Sequence, residues 1–289
     1  MNAPPITPGW PPAEKELADL TGGVLSRVAD RRTEGRDHGD PNTVVEELLR
    51  QSTLGPLARN VWERMKIDTG EAFRPDPDHY VGAKMVQQLI RQFYERGKTP
   101  RITLLGHSTG AIYICKFLRA VDAAVRDQPY QDRVKFDVVF MAPAVRVDEF
   151  AYTLYQVRDR IRAFRMFGMH DSLESREALI KQAPQVYTSS LLYFVSGVCE
   201  NDDQDYDDTP LLGMERFFSD ARPFTRELFP AIREVKEFLN AYPHAAVFSD
   251  TPDDAPPGLR CAAHEHGGFP SEKDTLESVC WLLRTGDYR

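Results

Sequence analysis

Arg101-Ile102-Thr103-Leu104-Leu105-Gly106-His107-Ser108-Thr109-Gly110-Ala111-Ile112-Tyr113 joins an apolar run, a Gly-x-Ser-x-Gly pentapeptide centred on Ser108, and residues suited to a helix. Ile102, Leu104 and Leu105 read as a short strand, which Pro100 cannot extend backwards into a helix. Ala111, Ile114, Cys115 and Leu118 recur at helical spacing and predict one buried face. A serine hydroxyl is a poor nucleophile at neutral pH, so an enzyme must present it exposed, beside a base and beside donors for an oxyanion. A sharp strand-to-helix turn, a nucleophile elbow, supplies that presentation, and Gly106 and Gly110 are expected to remove side chains from its crowded corner.

Outward from this turn, the pattern alternates. Upstream, Asp78 is a candidate cap for a helix whose stripe is Val81, Met85, Val86, Leu89, Ile90 and Phe93, stopped at Gly97. Residues 42–49 and 61–65 also have helical spacing. Downstream, apolar strands are expected over 136–142, 163–168 and 245–248, the first two each preceded by a helical segment. This alternation predicts a mostly parallel sheet covered by helices. An excursion at about 172–240 is long for a connection and is expected to form a lid or insertion, with a helix at 229–239. Its segments Tyr187–Val198 and Leu211–Phe218 are candidates to line an apolar acyl pocket. Residues 1–40, rich in Pro, Gly, Arg and Asp, read as a loose arm before a domain over 41–289.

Two partners for Ser108 are found beyond the later strands. Asp171 follows the third strand, where a carboxylate can orient an imidazole, and Asp148, after the second, is the alternative acid. Near the C-terminus, Cys261-Ala262-Ala263-His264-Glu265-His266-Gly267-Gly268 offers two histidines. His266 is preferred because Gly267 and Gly268 free its loop to approach a hydroxyl from above. His264, Glu265, His266 and Cys261 have ligand chemistry, but no second cluster completes a tetrahedral set, so neither a metal nor another cofactor is expected. The acidic run over 202–208 has Asp208 where a calcium loop needs glycine.

In chain order, Gly106-His107-Ser108-Thr109-Gly110, Asp171 and His266-Gly267-Gly268-Phe269 resemble the second half of an α/β-hydrolase of lipase or esterase type. The resemblance runs over about residues 78–289. It implies Ser108 as nucleophile, His266 as general acid and base, Asp171 as orienting carboxylate and the Thr109 amide as an oxyanion donor. The implied reaction is cleavage of an ester, thioester or amide of a small acyl substrate through an acyl-enzyme. Acyl transfer to another acceptor, or a non-catalytic binding module derived from the fold, are the alternatives. Residues 1–77 contain no convincing strand, whereas the family has several before the elbow. The fold is therefore expected to be reduced or truncated on its N-terminal side, with an open sheet edge covered by the N-terminal helices or by self-association.

The chain has 36 basic against 44 acidic residues and no basic block, which argues against a nucleic-acid surface. Its longest apolar run is far too short to span a bilayer, and residues 1–12 are proline-rich without a signal-like core. Four scattered cysteines suit a reducing compartment, so a cytoplasmic protein is expected, with Cys115 and Cys280 as core residues.

Overall fold

The computed structural model describes residues 12–52, 54–200, 208–220, 223–225 and 229–289. Helices α1 (Pro12–Glu34), α2 (Asp40–Gln51), α3 (Leu54–Glu71) and α4 (Val81–Leu89, continued by a π-turn to Tyr94) precede the first strand. Then come β1 (Ile102–His107), α5 (Gly110–Val125), β2 (Phe136–Met141), α6 (Val147–Val157) and β3 (Ile161–Met169). The excursion contains the short helices α7 (Asp171–Glu174) and α8 (Leu191–Phe194) and ends in α9 (Pro230–Asn240). It leads into β4 (Ala246–Ser249), and α10 (Lys273–Thr285) closes the chain.

All four strands among the described residues are parallel, in the order β1-β2-β3-β4. Every residue of β2 is buried, as its unbroken apolar run requires when helices cover both faces. Phe140, Phe150, Phe164 and Phe238 meet edge-on at centroid separations of 5.1 to 6.0 Å, apart from the tilted Phe150–Phe164 pair, and lock β2 and β3 to α6 and α9. The described residues therefore form an all-parallel α/β sheet flanked by helices, the expected fold class.

β1 is an edge strand, with Leu105 45% exposed. The N-terminal helices do not serve primarily as its cover: α1 to α3 pack on one another, on α5 and on the π-turn Val195–Cys199. The loose arm expected over 1–40 is also corrected, since most of it is helix α1; residues 1–11 lie outside the described residues. Charge pairing orders it. Arg31, fully buried, binds Glu46 at 2.7 Å and Glu47 at 3.1 Å, and hydrophobic patterning alone carries no sign of such a contact.

That contact opens a buried network between the N-terminal helices and the excursion. His38 lies between Glu46, 2.7 Å from Nδ1, and Asp208, 2.8 Å from Nε2. Tyr187 donates to Glu46 at 2.5 Å, Ser196 donates to Asp208 at 2.8 Å, and Arg216 pairs with Asp208 at 3.1 Å. The segments expected to line an acyl pocket divide: Leu192, Val195, Val198, Leu211, Leu212 and Phe217 are core, whereas Thr188, Tyr193, Glu215, Arg216 and Phe218 line a cavity. The possible calcium run lies outside the described residues except Asp208, which is in this network. Cys115 is buried as expected, but Cys280 is on the exposed side of α10. Asp78 does not cap α4; Tyr80 precedes it without a side-chain cap. No helix among the described residues is long and apolar enough to cross a membrane.

Candidate active site

β1 ends at His107, and Ser108 follows with φ 54°, a left-handed conformation that a residue with a Cβ adopts only under constraint. The constraint comes from β2, the loop after it and the start of α5. The Ser108 amide donates to Met141 O at 2.9 Å, and its carbonyl accepts from Ala144 at 3.1 Å and Ala111 at 3.2 Å. The Ser108 residue is partly exposed.

A Cβ at Gly106 would stand 2.8 Å from both the Gly110 carbonyl carbon and Ile114 Cδ1, so the expected crowding at this turn is found there. It is not found at Gly110, whose Cβ would meet open space. Gly106→Ala is expected to cost about 1–3 kcal/mol by overpacking. Gly110→Ala, at the first residue of α5, is expected to be neutral or to stabilise by up to about 1 kcal/mol, and thermal unfolding of the two variants checks the contrast.

His266 Nε2 is 2.9 Å from Ser108 Oγ. With the ring proton on Nδ1, Nε2 accepts from the hydroxyl, the arrangement a general base needs. His266 is only 3% exposed. Burial, and secondarily the adjacent His107 ring, pushes its basicity down to about 3, so the imidazole is neutral at pH 7. Its Nδ1 has no hydrogen-bond partner among the described residues. His264 lies apart, on the surface, with Nε2 2.5 Å from Asp250.

Asp171 is not joined to His266. It opens α7, directly beyond β3, but its Oδ1 accepts from Tyr193 Oη at 2.5 Å and its amide donates to Glu215 at 2.9 Å. Burial holds the Tyr193 phenol protonated, a standing donor that takes the carboxylate. Asp171 lines a cavity of about 770 Å³ with His38, Tyr193, Arg216 and Phe248. Asp148 is held by Arg146 at 2.7 and 3.0 Å and lines a different cavity of about 630 Å³. That second cavity includes Ile112, in the first turn of α5, and Val145, next to the Ala144 whose amide donates to the Ser108 carbonyl, and its lining mixes Lys66, Lys116, Glu149 and Glu200 with Ile67 and Tyr152.

The carboxylate that does touch His266 is Glu177, whose Oε2 accepts from the His266 backbone amide at 2.9 Å. Sequence patterning reads Glu174 and Glu177 as the acidic first turn of a longer helix, yet α7 stops at Glu174. Glu174 turns inward, where burial raises its carboxyl to about 8, and its Oε1 has no partner among the described residues. The Thr109 amide stands at the N-terminus of α5, where backbone donors have no helical acceptor.

Residues 78–177 match the model of a family described as alpha/beta hydrolase of unknown function (DUF900), a stretch running from just before α4 to just past α7. No curated protein and no solved structure matches the chain. The parallel sheet and this match place the segment, and the strands it supplies, in the α/β-hydrolase superfamily.

Proposed function

We propose that the protein is a serine hydrolase in which Ser108 attacks an ester, thioester or amide carbonyl and His266 carries the proton. The observation that supports it is the 2.9 Å separation of Ser108 Oγ and His266 Nε2 at a strained turn. As the Oγ–carbon bond forms, the Oγ proton passes to Nε2 and the carbonyl electron pair moves onto oxygen, where the Thr109 amide is the proposed donor. Collapse expels the alcohol, thiol or amine, which takes the proton from Nε2. Water then repeats the sequence and frees the acid. With Asp171 on Tyr193, the working unit in this geometry is a Ser-His pair.

A fluorophosphonate probe tests the reading. Attack by Oγ forms an O–P bond and expels fluoride, so the wild type is expected to become labelled and Ser108→Ala is not. The unpartnered Nδ1 of His266 favours one rival, a non-catalytic module. Equal labelling of the two proteins decides for that rival.

A further inference from the structure

His266 lies at the start of a single 3-10 turn, followed by Gly267 and Gly268, in an otherwise irregular stretch between β4 and α10. Such a backbone has many conformations to lose, and an imidazole on it is aimed only as well as its main chain is held. Two side chains from elsewhere hold it. Glu177 Oε2 accepts from the His266 amide at 2.9 Å, and His107 Nε2 lies 2.9 Å from the His266 carbonyl oxygen. A carbonyl oxygen can only accept, so His107 carries its proton on Nε2 and donates. The peptide groups on both sides of the His266 Cα are thus tied.

The origin of the two ties matters. His107 is the last residue of β1 and the immediate neighbour of Ser108, so one strand end positions both the nucleophile and the main chain of the base. Glu177 comes from the segment beyond β3. It approaches from the opposite peptide, and its carboxylate lies on the amide rather than on the ring. Phe269, fully buried, anchors the loop just downstream. The rings of His107 and His266 are 5.2 Å apart and tilted by 37°, so their contact is not a ring hydrogen bond.

We propose that His107 and Glu177 are positioning residues that clamp the His266 main chain from both sides and thereby aim Nε2 at Ser108 Oγ. The proposal rests on the serine-hydrolase reading of the pair. It assigns a role to the residue preceding the nucleophile and to a carboxylate outside the expected triad. Neither touches the reacting atoms.

The test is the saturating rate and half-saturating concentration of fluorophosphonate labelling, measured on the full chain. Wild type and Ser108→Ala run in parallel. His107→Leu and Glu177→Leu each remove a tie and are expected to lower the saturating rate by about ten- to a hundredfold, with the half-saturating concentration little changed. His107→Gln keeps an N–H donor and Glu177→Gln keeps an oxygen acceptor, so each is expected to stay within about threefold of wild type. A loss in the leucine variants with recovery in the glutamine variants supports the clamp. Wild-type rates in the leucine variants, or glutamine variants as slow as the leucine ones, overturn it. Where a leucine variant does not fold, its glutamine counterpart decides: a rate within threefold supports the clamp and a slower one overturns it. Equal labelling of wild type and Ser108→Ala overturns the hydrolase reading itself, a result distinct from failure of the clamp alone.

Discussion

His38→Leu is expected to destabilise the protein by about 3–5 kcal/mol, the usual consequence of removing one member of a buried charged network. The ring's two nitrogens face Glu46 and Asp208, and all three side chains are fully withdrawn from water. Leucine offers no donor, so each carboxylate keeps a buried charge with part of its hydrogen bonding lost. Arg31 and Tyr187 still serve Glu46, and Arg216 and Ser196 still serve Asp208, which keeps the loss from being larger. Because the network ties α1 and α2 to the excursion, the loss is expected in global unfolding rather than in fraying of one element. Urea denaturation at pH 7 measures it, and a loss below about 1 kcal/mol would show that His38 does not hold these parts together.

The effect carries a pH signature. Burial by itself would raise the Glu46 carboxyl, but His38, Arg31 and Tyr187 outweigh it and hold the group at about 2 instead of 4.5. Asp208 is lowered in the same way against burial, by Arg216 and His38. A carboxyl depressed in the folded state stabilises it above the unfolded value and loses that contribution as pH falls through the folded value. The gap between wild type and His38→Leu is therefore expected to narrow as pH falls from about 4.5 towards 2.

His266→Gln is expected to slow fluorophosphonate labelling by about 10²- to 10⁴-fold, the range for losing a general base. His264→Gln, at a surface pair with Asp250, should leave the rate within about twofold of wild type. Asp171→Asn should cost less than about tenfold, because its carboxylate serves Tyr193 and Glu215 accepts its amide. A loss at Asp171 equal to that at His266 would instead mean that the carboxylate reaches Nδ1 during the reaction. With its basicity lowered to about 3 by burial and His107, His266 stays neutral well below the ordinary histidine range. Labelling is therefore expected to persist below pH 6.5 and to fall only as pH approaches 3, a limb the initial rate reads directly. The stability linkage has the same direction. A buried neutral histidine contributes fully above the unfolded value of 6.5, and that contribution declines as pH falls towards 3, where the unfolded chain binds the extra proton.

Much of the sheet was legible in the chain because its strands are continuous apolar runs. The runs at 136–142, 163–168 and 245–248 correspond to β2, β3 and β4 with boundaries moved by no more than two residues. The turn at Ser108 was legible for a different reason: glycine beside a helix start marks close backbone approach, and at Gly106 there is no space for a Cβ. Helix α1 was obscured because a long-range ion pair at Arg31 is central to its docking, and composition registers only its polar residues. Glu177 was hidden for a related reason, since an acidic residue near the start of a helical pattern looks like dipole support whether or not it reaches a loop 89 residues away in sequence.

Linear order alone determined that a serine on a strand-to-helix turn would precede a carboxylate and then a histidine pair, because local backbone preference and apolar periodicity are written residue by residue. Only the tertiary structure decided which imidazole meets Ser108, that Asp171 is taken by Tyr193, and that Glu177 and His107 hold the His266 main chain. Those choices depend on the meeting of side chains from β1, the stretch after β3 and the C-terminal loop, and hydrogen bonds between distant segments leave no period in the sequence by which they can be read.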